Sequence, residues 1–136
     1  MIVKFNFDWR EFTAEDFTNY CSKVENGQIL DDDYISCVRV GELCFDFFYR
    51  YDGEQETLDY DMYLGGVDTG YGYSKIDGTP YTEGGGGSFE DDLLIGLSYD
   101  EFKQTVEKTI TNFIVSENDD YRGILVPLAK AQLHIW

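Results

Sequence analysis

Residues 34–64 read YISCVRVGELCFDFFYRYDGEQETLDYDMYL, and this stretch decides the fold. YISCVRV (34–40) and LCFDFFYRY (43–51) are rich in β-branched and aromatic residues. They are separated by Gly41-Glu42, the spacing of a tight hairpin. Asp52-Gly53 is a second turn signal, and ETLDYDMYL (56–64) follows it. That third run alternates cleanly: Leu58, Tyr60, Met62 and Leu64 point to a core, while Thr57, Asp59, Asp61 and Tyr63 point away. The middle run is apolar on both faces around Phe45, Phe47 and Phe48, which places it centrally or beneath a helix. A three-stranded antiparallel meander is expected.

Working outward, residues 2–7 (IVKFNF) alternate and predict a half-buried strand. Thr13 then supplies an N-cap with Asp16 three residues on, and Phe12 and Phe17 occupy the positions of a hydrophobic staple. Phe17, Tyr20, Cys21 and Val24 fall on one helical stripe, closed by Asn26-Gly27, so a helix is expected over 14–25. Ser98 and Glu101 make a second capping box, with Leu97 and Phe102 as its staple. Phe102, Val106, Thr109, Ile110 and Phe113 carry that helix to about residue 115. SENDDYRG (116–123) reads as an acidic turn. In the tail, ILVPLAKAQLHIW, Pro127 interrupts any helix interior. A short strand is expected there, followed by a helical turn or a final strand QLHIW. The whole predicts one α+β domain over 1–136, in the order β-α-β-β-β-(β)-α-β. An antiparallel sheet of four to six strands packs against two amphipathic helices.

Nine of the fourteen glycines lie in residues 65–88, interleaved with Tyr71, Tyr73 and Tyr81. Residues 84–88 spell GGGGS. A phosphate-binding loop would need a lysine beside the glycines. Here Glu83 precedes them and Glu90, Asp91 and Asp92 follow, so phosphate is repelled. The flanking pieces are each too small to fold alone, which excludes a joint between domains. An engineered linker stays open on sequence alone. The expectation is a flexible Gly/Tyr-rich loop at about 65–88, ending in Phe89 and three carboxylates.

The charge balance limits the partners. Twenty-seven Asp and Glu stand against ten Lys and Arg, a net charge of −17 over 136 residues. Affinity for nucleic-acid phosphates comes from cations, so direct nucleic-acid binding is not expected, and a basic protein partner is. The same excess also serves a chain that needs only to stay dissolved. Cys21, Cys37 and Cys44 are odd in number and lack CxxC spacing, and the single His134 adds no zinc pattern. They read as reduced thiols of a cytoplasmic protein. No leader-like or membrane-length apolar run is present in the sequence.

The acids cluster as Asp31-Asp32-Asp33, Asp59/Asp61, Glu90-Asp91-Asp92 and Glu117/Asp119/Asp120. None matches a calcium-loop pattern. Asp59 and Asp61 lie about 6.8 Å apart along a strand, a spacing open to carboxylate hydrolysis. No pocket or second acid is implied, so a solvated face is favoured. Catalytic, cofactor-binding and metal residues are therefore expected to be none. The four clusters, with Tyr71, Tyr73 and Phe89 as aromatic anchors, are the expected partner-binding residues.

In size, acidity and lack of catalytic motifs, the chain resembles phage-encoded anti-CRISPR and anti-restriction inhibitors that act as nucleic-acid mimics. The resemblance is compositional and carries no residue roles. It implies an inhibitor without catalysis or cofactor, acting in the cytoplasm of a bacterial host. Such an inhibitor occludes the basic groove of a nuclease such as a Cas effector. An immunity protein against a basic nuclease toxin, or an acidic accessory protein of a phage or mobile element, fits the same composition.

Overall fold

Leu43–Tyr51 forms strand β3, the axis of the fold. Its alternation buries Leu43, Phe45, Phe47 and Tyr49 on one side and leaves Cys44, Asp46 and Phe48 half-buried on the other. The computed structural model describes residues 4–63, 85–89, 92–121 and 123–130. The elements around β3 are β1 (Phe7–Asp8), α1 (Ala14–Glu25), β2 (Tyr34–Val40), β4 (Glu56–Tyr63), β5 (Gly85–Ser88), α2 (Tyr99–Glu117) and α3 (Leu125–Lys130). A 3-10 turn, Asp119–Tyr121, links the last two helices. The strands form one sheet in the order β1-β2-β3-β4-β5, every neighbour antiparallel. The fold is α+β, with β3 at the centre of the sheet as expected.

The β2–β3 hairpin closes on the Val40–Leu43 pair. Gly41 takes φ +60°, the left-handed value that the first position of a two-residue type II′ turn demands. A side chain there would also run into the Leu128 and Ala129 carbonyls of α3. The Glu42 N–H donates to the Leu128 carbonyl at 2.9 Å, so the turn is docked on the last helix.

Both capping boxes form. The Thr13 and Ser98 hydroxyls accept from the Asp16 and Glu101 N–H groups, and those carboxylates accept in return from the cap N–H at 2.9 Å each. Phe17 and Tyr20 of α1, Phe102, Val106, Ile110 and Ile114 of α2, and Leu125, Leu128 and Ala129 of α3 are buried. They join the inward residues of β2, β3 and β4 in one cluster. Rings hold its centre, with Phe102 lying 4.6 Å from Phe17 and 5.1 Å from Phe12, and Phe12 lying 5.7 Å from Phe47. Each such side chain contributes roughly 1.5–3 kcal/mol by leaving water. All three helices therefore cover one side of the sheet.

Four expectations need correcting. The strand over 2–7 shrinks, among the described residues, to Phe7–Asp8, paired only with Val40 and Arg39. In this register the residues before Phe7 would fall opposite Gly41 and Glu42, where β2 has already turned into β3, and beyond Asp8 the chain turns at Trp9–Phe12. The glycine run is not slack over its described part. Gly85–Ser88 is strand β5, paired with Asp59–Met62. Phe89 is not an exposed anchor but a core residue, stacked near Tyr60 (5.2 Å) and Phe47 (6.0 Å). Leu125–Lys130 is helix α3, so the short strand expected before Pro127 is replaced by helix, while a helical turn from Pro127 is one of the two expected continuations. Pro127 sits in the first turn of α3, where an N–H has no intrahelical acceptor to lose. Residues 131–136, with QLHIW and His134, lie outside the described residues, as do Tyr71 and Tyr73.

Glycine is what lets β5 exist. A Cβ on Gly86 would collide with the Tyr60 carbonyl oxygen and sit 2.8 Å from Asp61 Oδ1. A Cβ on Gly87 would meet the Tyr60 hydroxyl at 2.8 Å. Neighbouring aromatic rings thus supply the packing that glycine lacks.

Candidate functional site

The sheet face opposite the helices is built in rows by the register. Cys37, Asp46, Asp61 and Gly86 are direct partners across β2, β3, β4 and β5. The next row runs Tyr34, Phe48, Asp59 and Ser88. Arg39 pairs with Cys44, and Arg50 with Thr57. The alternation that buries Phe45, Phe47 and Tyr49 therefore turns a mixed set of carboxylates, thiols and arginines outward.

Asp31-Asp32-Asp33 reaches this face from the loop before β2. The Asp31 carboxylate accepts from the Tyr51 N–H at 2.8 Å, and the Asp33 N–H and carboxylate both close on Leu30. The Tyr49 carbonyl accepts from the Asp32 N–H at 2.7 Å, and the Asp33 carbonyl from the Tyr49 N–H at 2.9 Å. The triplet thus continues the ladder along β3. Arg50 draws both exposed acids to itself, with Nη1 3.0 Å from Asp32 Oδ1 and Nε 3.8 Å from Asp31 Oδ1. Asp33 is committed to its turn.

Asp31, Asp32, Asp46, Asp59 and Asp61 consequently share one electrostatic neighbourhood. Burial lifts the Asp61 carboxyl above the ordinary carboxylate range; Arg50 opposes this, and Asp59 and Asp32 add to it. Burial lifts Asp46 as well, with the Cys44 hydrogen bond opposing and Asp61 adding. Asp59 is steadied by the Thr57 hydroxyl at 2.8 Å. A raised carboxyl costs free energy to ionise, so this face carries its charge against resistance.

The other expected acids lie elsewhere. Asp92 accepts from the Leu94 N–H at 2.8 Å and borders a groove between β5 and α2, beside Lys108 and Asn112. Glu117, Asp119 and Asp120 sit at the C-terminal end of α2, whose last turn holds no basic residue. That is the negative end of the helix dipole, where carboxylates are disfavoured. Burial raises the Tyr60 hydroxyl, with Glu117 adding to it, which places this acid beside β4 rather than on the open face. Glu90 and Asp91 lie outside the described residues.

Sequence spacing missed one group. Cys37, Cys44 and Asp46 converge so that their sulfur and oxygen atoms all lie within 4.8 Å of one another. Cys44 Sγ is 3.6 Å from Asp46 Oδ1. The Cys44 hydrogen bond holds the Cys37 thiol down to about 7, and the same pairing pushes Cys44 up. The signal was available. A hairpin closed by Val40 and Leu43 forces Cys37 opposite Asp46 and Cys44 opposite Arg39, all on one face.

No family model matches the chain, and no curated protein or solved structure matches it either. Among the described residues, no helix is long and apolar enough to cross a membrane.

Proposed function

We propose that this chain is an acidic protein-binding inhibitor whose open sheet face occludes a basic nucleic-acid-binding surface of a nuclease. The convergence of Asp31, Asp32, Asp46, Asp59 and Asp61 on the face opposite the described helices supports this reading. Arg39 and Arg50 are the cations the described residues place there. An aspartate pair such as Asp59 and Asp61 repeats at about 6.8 Å along a strand, and neighbouring strands add further rows about 4.8 Å apart. Such an array offers negative charge in two dimensions without bases. Burial is the main cause that lifts Asp46 and Asp61, and neighbouring carboxylates add to it; a basic partner would offset that added repulsion. Tyr34, 56 % exposed and edge-on to Phe48 at 5.7 Å, gives the face an aromatic anchor.

The test is capture from host lysate on the immobilised full chain at about 50 mM salt, beside a column of the Asp59→Asn/Asp61→Asn double variant. The captured protein is expected to be a basic nuclease, released by duplex DNA and by salt raised to about 500 mM. Retention should fall at least tenfold on the variant column. Capture that ignores salt, or is equal on both columns, would overturn the reading.

A further inference from the structure

Asp46 belongs to the acidic face, but the two thiols that converge on it, Cys37 and Cys44, add little to recognition of arginine or lysine. Three donors of this kind from two adjacent strands have a different chemical meaning. Thiolate and carboxylate together suit a borderline-soft divalent ion that takes tetrahedral geometry. We propose that Cys37, Cys44 and Asp46 form a binding site for a zinc-class cation, with three protein ligands and a fourth corner on the sheet face opposite the described helices.

The distances fit the ion. Zinc–sulfur bonds of about 2.3 Å and zinc–oxygen bonds of about 2.0 Å put tetrahedral sulfur–oxygen neighbours about 3.5 Å apart and sulfur–sulfur neighbours about 3.8 Å apart. Cys44 Sγ and Asp46 Oδ1 already stand 3.6 Å apart. No pair among the three ligand atoms exceeds 4.8 Å, so closure needs about 1 Å of side-chain movement at most. The backbone is rigid where this matters, because all three residues lie inside the β2–β3 ladder rather than on a loop. Cys37 is buried, while Cys44 and Asp46 are half-buried on the open face, which gives the ion both a low-dielectric seat and an entry path.

The register argues for an ion rather than a disulfide. Cys37 is opposite Asp46 and Cys44 is opposite Arg39, so the two cysteines are diagonal neighbours. Diagonal positions on a sheet are typically about 7–8 Å apart, beyond the usual Cα separation of a disulfide. A bridging ion spans that gap easily. The charges also close. Two thiolates and a carboxylate around a dication leave one negative charge, and Arg39 stands within electrostatic range of all three ligands.

The experiment uses the reduced, metal-stripped full chain titrated with Co(II) without oxygen. One equivalent is expected to bind, with thiolate-to-cobalt charge-transfer absorption and the visible bands of a tetrahedral ion, and Zn(II) should displace it while Mg(II) does not. Cys44→Ser should remove most of the charge-transfer intensity. Asp46→Asn should weaken uptake by about tenfold or more while keeping sulfur ligation. Cys21→Ser should change nothing, because that thiol faces the Ile95 carbonyl at 3.8 Å. Far-ultraviolet circular dichroism checks folding, and if Cys44→Ser unfolds, Asp46→Asn carries the test. Absence of charge transfer with all thiols reduced overturns the site. So does a band of undiminished intensity in Cys44→Ser, or an affinity indifferent to Asp46→Asn.

Discussion

The two faces of one sheet are made by the same strands and obey different rules. Toward the helices, Phe45, Phe47 and Tyr49 of β3 meet Leu58, Tyr60 and Met62 of β4 in a closed aromatic and aliphatic core. Away from them, Cys44, Asp46 and Phe48 of β3 meet Asp59 and Asp61 of β4. Packing accounts for the choice of residue on the first face and for almost none on the second. An inward position answers to volume, and its chemistry is nearly fixed. An outward position is free of that demand, so packing does not account for the three aspartates and two thiols gathered there.

The largest effect that tests this contrast comes from adjacent residues. Phe47→Ala should lower unfolding free energy by about 3–5 kcal/mol, whereas Phe48→Ala, on the open face, should cost about 1 kcal/mol or less. Urea denaturation of both variants checks it, and equal losses would erase the distinction between faces. Next in size is Gly86→Ala, whose added carbon meets the Tyr60 carbonyl. A loss of about 1–3 kcal/mol is expected. Amide exchange should quicken in β4 and β5 while the β2–β3 ladder stays protected. Uniform quickening would mean that β5 is not a separable edge.

The third effect is a pH dependence. The folded-state carboxyls of Asp46 and Asp61 lie above their unfolded values, so the native state holds those protons more tightly. Stability from these groups is present below the unfolded value and declines as pH rises through the folded one. Asp8, Asp52 and Glu101 are shifted the other way, chiefly by hydrogen bonds from Arg10, Gln55 and Ser98 respectively, and their contribution is lost as acid protonates them. The melting temperature should therefore rise as pH falls from about 7 toward 5 and drop in stronger acid. Asp46→Asn should raise the neutral-pH melting temperature and flatten that rise, and an unchanged slope would remove Asp46 from the strained set. The smallest effect is Arg50→Ala. Its contacts to Asp31 and Asp32 are exposed, and about 1 kcal/mol or less is expected by thermal melting.

The inward face was legible in the sequence because it is written in side chains. Alternation over 56–64 and the turns at Gly41 and Asp52-Gly53 placed the meander, and staples at Phe12/Phe17 and Leu97/Phe102 placed both long helices. β5 was not legible for the complementary reason. Strand signals are measures of side-chain packing, and Gly85–Gly87 have none to measure. What fixes that strand is the shape of Tyr60, Asp61 and Tyr121 around it. Phe89 looked like the tip of a tether only because the segment before it looked loose. On the open face the acids were visible, but their assembly was not. Asp31 and Asp32 join Asp59 and Asp61 only through the β3 ladder, and Cys37, Cys44 and Asp46 are related by register rather than by any spacing along the chain.

The pairing of Met62 with Gly85 has a practical consequence for anyone wishing to add to this protein. β5 begins at Gly85 directly beside Met62, secured by four ladder pairs and then by the buried Phe89. The connection between is thus closed at its base by the fold itself. For a flexible connection between ends held this way, doubling the length costs only about 0.6 kcal/mol. A reporter peptide or a foreign recognition sequence spliced between residues 64 and 84 should leave the domain standing, which makes this junction the natural port for engineering the molecule.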